Sequence, residues 1–188
     1  ELEEKQALLN SMSRHDALTG LYNRVYYEQE RGHIDSTEHL PLSVIVCDVD
    51  GLKLVNDAFG HVAGDNLLMA ATEIIKNACR EQDIAIRTGG DEFSVFFPGT
   101  SNTQIEEIFN LMNDQSKNKK IQAVDGLQFT SISMGYATKE NESQSLEEVI
   151  LAAEEFMYRR KLLARKGSHS ILMKSIMTTL HEKSFETQ

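Results

Sequence analysis

One segment, Leu42 to Val49, constrains the fold more than any other part of this 188-residue chain. It follows Pro41 and is apolar at nearly every position, without the alternation that is typical of a strand with one solvated face. Such a strand is buried on both faces, so helices must cover both sides of its sheet. Because helical and strand patterns alternate along the chain, the sequence predicts an α/β fold: an α+β sandwich with a central mixed β-sheet flanked by helices.

The remaining elements follow from hydrophobic periodicity and turn residues. Ser145 and Glu148 form a capping box that opens the last helix. The predicted helices span residues 24–31, 64–78, 103–118 and 145–166, and the predicted strands span residues 84–87, 94–97, 121–124 and 128–137.

The sequence Gly89-Gly90-Asp91-Glu92-Phe93 lies between two of these short strands. A Gly-Gly pair there predicts a tight hairpin in which glycine adopts positive φ. The two acidic residues after the glycines are suitable ligands for a divalent cation that is bound beside a phosphate. Because glycine has no side chain, the phosphate can approach the backbone closely. The alternative interpretation is an ordinary surface hairpin with solvated carboxylates.

A second acidic cluster, Asp48-Val49-Asp50, comes at the end of the buried strand. Carboxylates at the C-terminal end of a strand are typical of a metal site in an open sheet. If this cluster meets Asp91 and Glu92, a bound Mg²⁺ would relieve the repulsion between like charges. Alternatively, Asp48 caps a turn.

Three polar residues downstream of the strand match a purine nucleotide. Lys53 offers an ammonium group to a phosphate, whereas Asn56 and Asp65 offer an amide and a carboxylate to a base edge. An amide donor for a carbonyl oxygen, with a carboxylate acceptor for amino and ring N–H groups, matches guanine better than adenine.

Composition excludes several classes of function. The net charge of −10 argues against a general nucleic-acid binder or a binder of anionic membranes. We expect no signal peptide in this sequence, and it contains no apolar run long enough to span a membrane. Cys47 and Cys79 lack metal-ligand spacing, and reduced, packed thiols suit the cytoplasm. Because the chain begins at Glu1, we expect a piece of a longer protein, on the cytoplasmic side if that protein is membrane-bound.

These motifs together resemble the GGDEF domain of bacterial diguanylate cyclases over roughly Asp16 to Arg165. The resemblance implies the fold of class III nucleotide cyclases. It is carried by separated motifs in the expected order: the segments 16–24, 48–50, 60–65, 89–93 and 131–135, with Lys53, Asn56, Asp57, Met157, Tyr158 and Lys161.

The resemblance implies a role for each matching residue. The implied cofactor is Mg²⁺, with Mn²⁺ as a possible substitute, and the implied substrate is GTP. The implied metal ligands are Asp48, the carbonyl of Val49 and Asp91; the catalytic residues are Asp91, Glu92 and Lys53; and the substrate-binding residues are Asn56, Asp65, Gly89, Gly90, Lys53, Lys161 and Arg165.

The implied reaction condenses two GTP molecules into cyclic di-GMP and two pyrophosphates, so two domains must face each other as a homodimer. Arg80 and Asp83 match the family's inhibitory RxxD site for cyclic di-GMP. A surface ion pair between positions i and i+3 is the alternative interpretation of these two residues.

We expect three segments along the chain: a signalling or linker helix at 1–15, the GGDEF domain at 16–167 and a linker helix at 168–188. The last segment resembles the entry to an HD-GYP phosphodiesterase domain, and we expect the parent protein to continue into one. A competing function is a non-catalytic module that binds GTP or cyclic di-GMP and controls that downstream phosphodiesterase.

Overall fold

The computed structural model describes residues 14–118 and 132–163. Within them, five strands form one sheet in the order β1-β3-β4-β2-β5. β1 pairs with β3 in parallel, and the other pairs are antiparallel. This mixed sheet confirms the predicted fold class. The strands are β1 Tyr22–Asn23, β2 Leu42–Val49, β3 Ile84–Arg87, β4 Glu92–Phe97 and β5 Ile132–Lys139.

Helices flank the sheet on both sides, as expected. The helix predicted to start at Gly64 starts at His61, and the helix before it was not predicted. Gly60, with φ of +84°, ends one helix and starts the next, so the two helices follow each other without a loop between them. The helices are α1 Arg24–Ile34, α2 Leu52–Phe59, α3 His61–Ala78, α4 Asn102–Asn118 and α5 at residues 146–163.

The central strand β2 is buried on both faces, which confirms the prediction from its nearly continuous apolar sequence. Alternate side chains enter two separate cores, and each large apolar side chain contributes about 1.5–3 kcal/mol on burial. One core joins Ile45, Cys47 and Val49 to α3 and α4; the other joins Leu42, Val44 and Val46 to Ile34 and to Leu146, Val149 and Ala153 of α5.

Helix α5 begins with the predicted capping box. The Ser145 N–H donates to Glu148 Oε2 at 2.9 Å, and the Glu148 N–H donates to Ser145 Oγ at 3.2 Å. The helix lies directly on β5 at Gly135, where an added Cβ would be 2.1 Å from the Ala153 carbonyl oxygen and 2.4 Å from the Met157 nitrogen. Only glycine allows this approach, which fixes the height of the last helical turns above the sheet.

Several predicted segments lie outside the described residues. They include nearly all of the helix at 1–15, the strand at 121–124 with its turn, the end of α5 beyond residue 163, and the tail at 168–188. Strand β5 starts at Ile132 and continues to Lys139, two residues past its predicted end. None of the helices in the described part of the chain has the length and apolar character needed to cross a bilayer.

Candidate active site

The two acidic clusters lie side by side at one end of the sheet, where the C-terminal end of β2 meets the N-terminal end of β4; we call this region the strand edge. Asp48 on β2 is opposite Glu92 on β4 in the antiparallel register. One step further, the Val49 N–H donates to the Asp91 carbonyl oxygen at 2.9 Å. The hairpin therefore brings together two acidic segments that are about forty residues apart in the sequence.

The Gly-Gly turn differs from the predicted one. Among the described glycines, positive φ occurs at four positions that do not include Gly89 or Gly90, so that expectation was wrong. The Thr88 and Gly89 N–H groups close the turn on the Glu92 carbonyl oxygen, at 3.0 and 3.3 Å. The glycines provide space: a Cβ on Gly89 would lie 2.6 Å from Glu92 Oε2, whereas Gly90 has no heavy atom within 4 Å of that position.

A partly buried ion pair that the sequence did not predict supports this turn. Arg87 donates from Nη1 to both carboxylate oxygens of Asp16, at 3.0 and 3.1 Å, and from Nη2 to the Gly90 carbonyl oxygen at 2.7 Å. Asp16 also accepts from the Thr19 N–H and hydroxyl. Burial alone would raise the pKa of Asp16, but the hydrogen bonds from Thr19 and Arg87 outweigh it and lower the pKa.

Lys161 on α5 reaches the strand edge. Its Nζ lies 2.5 Å from Asp48 Oδ1 and 3.1 Å from Asp50 Oδ1. Partial burial acts to lower the pKa of Lys161, but the hydrogen bond to Asp48 and the charges of both carboxylates raise it overall. The lysine is therefore a protonated counterion to the acidic strand end at neutral pH.

Asp50 belongs to the acidic cluster that was expected to form a metal site, although the family resemblance does not include it among the metal ligands. Both of its carboxylate oxygens accept from the Ser133 hydroxyl, at 2.8 and 2.9 Å, and Ser133 is opposite Asp48 in the β2–β5 register. The period of two along a strand places Asp48 and Asp50 on the same face, which is the signal that would have identified the pair. No sequence signal singled out Ser133.

Three of the residues expected to contact the nucleotide, Lys53, Asn56 and Asp65, lie on α2 and α3. Lys53 is exposed in the first turn of α2. The side chain of Asn56 lies against Gly64, where an added Cβ would be 2.0 Å from Asn56 Oδ1, and Asp65 follows directly and is exposed. Asn56 and Asp65, the predicted guanine contacts, are therefore neighbours. Arg165, the other predicted phosphate contact near the end of α5, lies outside the described residues.

Arg80 and Asp83 contact each other at the end of α3. The Arg80 N–H donates to Asp83 Oδ2 at 2.7 Å, and Nη2 donates to Asp83 Oδ1 at 2.8 Å. The Asp83 side chain is fully buried, whereas that of Arg80 is 42% exposed and also donates to the Pro98 carbonyl oxygen and Thr100 Oγ1. An open cavity of about 340 Å³ adjoins the pair, with His15, Tyr22 and Lys76 among its lining residues.

The donor chemistry at the strand edge fits magnesium. Its donors are carboxylate and carbonyl oxygens, and Mg²⁺ is usually held by one or two carboxylates together with substrate phosphates and water. Within the described ranges, no group of three or more His, Cys, Asp or Glu side chains is arranged as a complete metal cage.

Comparison with known proteins gives several matches. Diguanylate cyclase DgcM of Escherichia coli is 30% identical over 166 residues, covering 85% of this chain and 38% of DgcM. Cyclic di-GMP phosphodiesterase NbdA of Pseudomonas aeruginosa is 27% identical over 197 residues, covering all of this chain and 24% of NbdA. This chain thus spans less than two-fifths of either relative.

Solved structures show the same fold. The coiled coil and GGDEF domain of DgcB from Caulobacter crescentus, in complex with c-di-GMP, superposes with a TM-score of 0.77. The two chains are 23% identical, and the match covers 88% of each. The family profile described as "Diguanylate cyclase, GGDEF domain" matches residues 13–167. This chain therefore belongs to the GGDEF family of diguanylate cyclase domains.

Proposed function

We propose that this domain is an active diguanylate cyclase. In each half-reaction, the 3′-hydroxyl oxygen of one GTP forms a bond to the α-phosphorus of the other. The bond from that phosphorus to the bridging oxygen breaks, pyrophosphate leaves, and the hydroxyl proton passes to a nearby base or to solvent. The observation that carries the proposal is the pairing of the two acidic segments, with Val49 hydrogen-bonded to Asp91 and Asp48 opposite Glu92.

In this proposal Asp48, the Val49 carbonyl and Asp91 hold Mg²⁺, with Mn²⁺ as a substitute. The ion, when bound, neutralises phosphate charge and favours ionisation of the attacking hydroxyl. Gly89 and Gly90 leave room for the phosphates, and the open space at Gly90 supports this role. Glu92 serves in a supporting role, either toward the metal or in proton transfer.

The remaining substrate contacts orient the nucleotide. Asn56 and Asp65 select guanine, and their adjacency across Gly64 supports a shared base site. Lys53, Lys161 and Arg165 bind the triphosphate. A carboxylate at position 65 accepts from the amino and ring N–H groups of guanine, so GTP is preferred over ATP.

Turnover requires a homodimer, because each domain holds one GTP and the two nucleotides must meet. We assign control of this step to the helix predicted at residues 1–15. Arg80 and Asp83 form an inhibitory site for cyclic di-GMP. The partly exposed Arg80 guanidinium and the adjoining cavity support this assignment, and the DgcB structure holds c-di-GMP.

The second candidate function is a non-catalytic module that binds GTP or cyclic di-GMP and controls a downstream phosphodiesterase, of the HD-GYP class in our proposal. Two observations favour it. Lys161 already neutralises Asp48, and the relative NbdA, matched along the whole chain, is itself a cyclic di-GMP phosphodiesterase.

One assay separates the two functions. The 188-residue chain, fused to a dimeric coiled coil at its N-terminus, is incubated with GTP and Mg²⁺, and cyclic di-GMP and pyrophosphate are quantified. A cyclase yields two pyrophosphates for each cyclic di-GMP. GTP binding without either product would overturn the cyclase and leave the regulatory module.

A further inference from the structure

We propose that, in the nucleotide-free domain, the ammonium group of Lys161 neutralises Asp48 in place of the metal ion. Metal and triphosphate therefore bind synergistically, each increasing the affinity for the other. The ammonium group neutralises Asp48 until a triphosphate draws it away, and only then is Asp48 fully available to a cation. This inference rests on the proposed function and adds an order of events to it.

Lys161 contacts both carboxylates at the end of β2. Its Nζ bridges Asp48 at 2.5 Å and Asp50 at 3.1 Å, and all three side chains are at most 30% exposed. Partly buried ion pairs at these distances are screened less by salt than surface pairs. A free cation therefore competes for Asp48 with an ammonium group that is already in contact.

The close packing of α5 on β5 places Lys161 beside Asp48 and Asp50. Gly135 lets α5 lie against β5 at Met157, and Lys161 follows one helical turn later on the same face. Arg159, on the same helix, instead pairs with Glu155 of its own helix at 3.2 Å and is highly exposed. The contact of Lys161 is thus set by packing of the helix, whereas its neighbour makes an ordinary surface pair.

Asp50 gives the lysine a second anchor. It is held by the Ser133 hydroxyl, and the sequence resemblance does not assign it to the metal. The ammonium group can therefore leave Asp48 and remain near the site, where a triphosphate offers it new oxygen partners. Because coupling between two ligands is reciprocal, the triphosphate must tighten metal binding by the same factor as the metal tightens triphosphate binding.

The test measures Mn²⁺ binding to the full chain by electron paramagnetic resonance, first without nucleotide. In the Lys161→Met variant we expect Mn²⁺ to bind about 5- to 150-fold more tightly, the range typical of couplings between two sites. The affinity for α,β-methylene GTP should fall in the same variant. Lys161→Arg keeps the charge and should keep the weak Mn²⁺ binding.

Arg159→Met is the matched control, since it removes one positive charge from the same helix at a residue that pairs with Glu155 and not with Asp48 or Asp50. It should leave both affinities within twofold of the parent chain. Circular dichroism verifies that each variant is folded, and Lys161→Gln replaces Lys161→Met if the latter is not.

The outcomes separate this inference from the proposed function. If the parent chain binds Mn²⁺ and the GTP analogue but Lys161→Met leaves Mn²⁺ affinity unchanged, the inference is wrong and the cyclase stands. Equal tightening by Arg159→Met would also overturn it, because the effect would be one of general charge. If the parent chain binds no Mn²⁺ even with the analogue, both proposals fail.

Discussion

The strand edge and the cluster of Arg80 and Asp83 differ in the partners of their carboxylates. At the strand edge, Asp48 and Asp50 share one lysine, and the glycine turn beside them has open space. After the end of α3, the Asp83 carboxylate is fully buried and accepts hydrogen bonds from both the backbone N–H and the guanidinium of Arg80.

The difference indicates two kinds of ligand site. The strand edge carries more negative charge than its own cation balances, which favours a site that recruits a further cation. The α3 cluster is internally balanced, so a ligand there must use the exposed part of Arg80 and the adjoining cavity without displacing Asp83.

The largest effect is expected at the strand edge. Asp91→Asn removes a proposed metal ligand, and loss of one preorganised electrostatic group typically lowers turnover by about a hundredfold or more. Cyclic di-GMP formation measures the loss. Asp114→Asn, an exposed change on α4, is the control; equal activity of the Asp91 variant and the parent would remove Asp91 from the site.

A smaller loss should follow from filling the open space. Gly90→Ala meets no heavy atom within 4 Å and requires no positive φ, so the free energy of unfolding should be unchanged. The methyl group would stand where the phosphates approach, and turnover should fall by about tenfold, or roughly 1.4 kcal/mol of lost transition-state binding. Unchanged turnover with unchanged stability would show that the phosphates bind elsewhere.

Gly135→Ala tests how the helix is placed over the strand edge. The added carbon would collide with the backbone of α5, and overpacking of this kind costs about 1–3 kcal/mol of stability. Urea unfolding measures the cost, and Gly32→Ala, in open space on α1, serves as its control. Should the two variants unfold alike, the close approach of α5 would be wrong.

At the α3 cluster the effect should be regulatory. Arg80→Ala removes the exposed guanidinium but leaves the metal edge intact, so initial turnover should be unchanged while inhibition by cyclic di-GMP weakens severalfold. Asp83 keeps the hydrogen bond from the backbone N–H of residue 80, but its fully buried carboxylate loses the guanidinium, so the free energy of unfolding should fall by about 1–3 kcal/mol while the chain stays folded. Product titration of the initial rate measures the change; retained inhibition would favour the surface ion pair over a ligand site.

The smallest effect concerns Asp16, whose pKa is lowered in the folded domain from its ordinary value of 3.8. Its ionised form therefore adds stability above that pH, and this stability is lost as the pH falls through the lower folded value. The free energy of unfolding of the parent should exceed that of Asp16→Asn near neutral pH. The gap should close in acid; a gap that is constant with pH would contradict the assigned hydrogen bonds.

The sequence predicted β2 to the residue because its apolar run and the flanking Pro41 and Asp50 leave little choice of boundary. It predicted the hairpin but assigned the wrong reason to its glycines, since backbone φ depends on how the turn closes. Helix α2 was missed because one glycine both ends it and starts α3.

The candidate site shows the same limit. Asp48 and Asp91 stand out locally, as acids after a strand and after a turn. The contacts of Arg87 with Asp16 and of Ser133 with Asp50 join residues 71 and 83 positions apart, and no local pattern reports such pairs. Long-range partners of this kind depend on strand register and helix placement, which emerge only in the folded chain.

We propose that Asp48 and Asp91 hold one metal ion together with a triphosphate. Titration of Mn²⁺ in the presence of α,β-methylene GTP, for the parent, Asp48→Asn, Asp91→Asn and the double variant, tests it most directly. We expect each single change to weaken binding severely and the double change to add little, because ligands of one ion couple strongly. Fully additive losses, or Mn²⁺ binding that neither change affects, would contradict a shared ion.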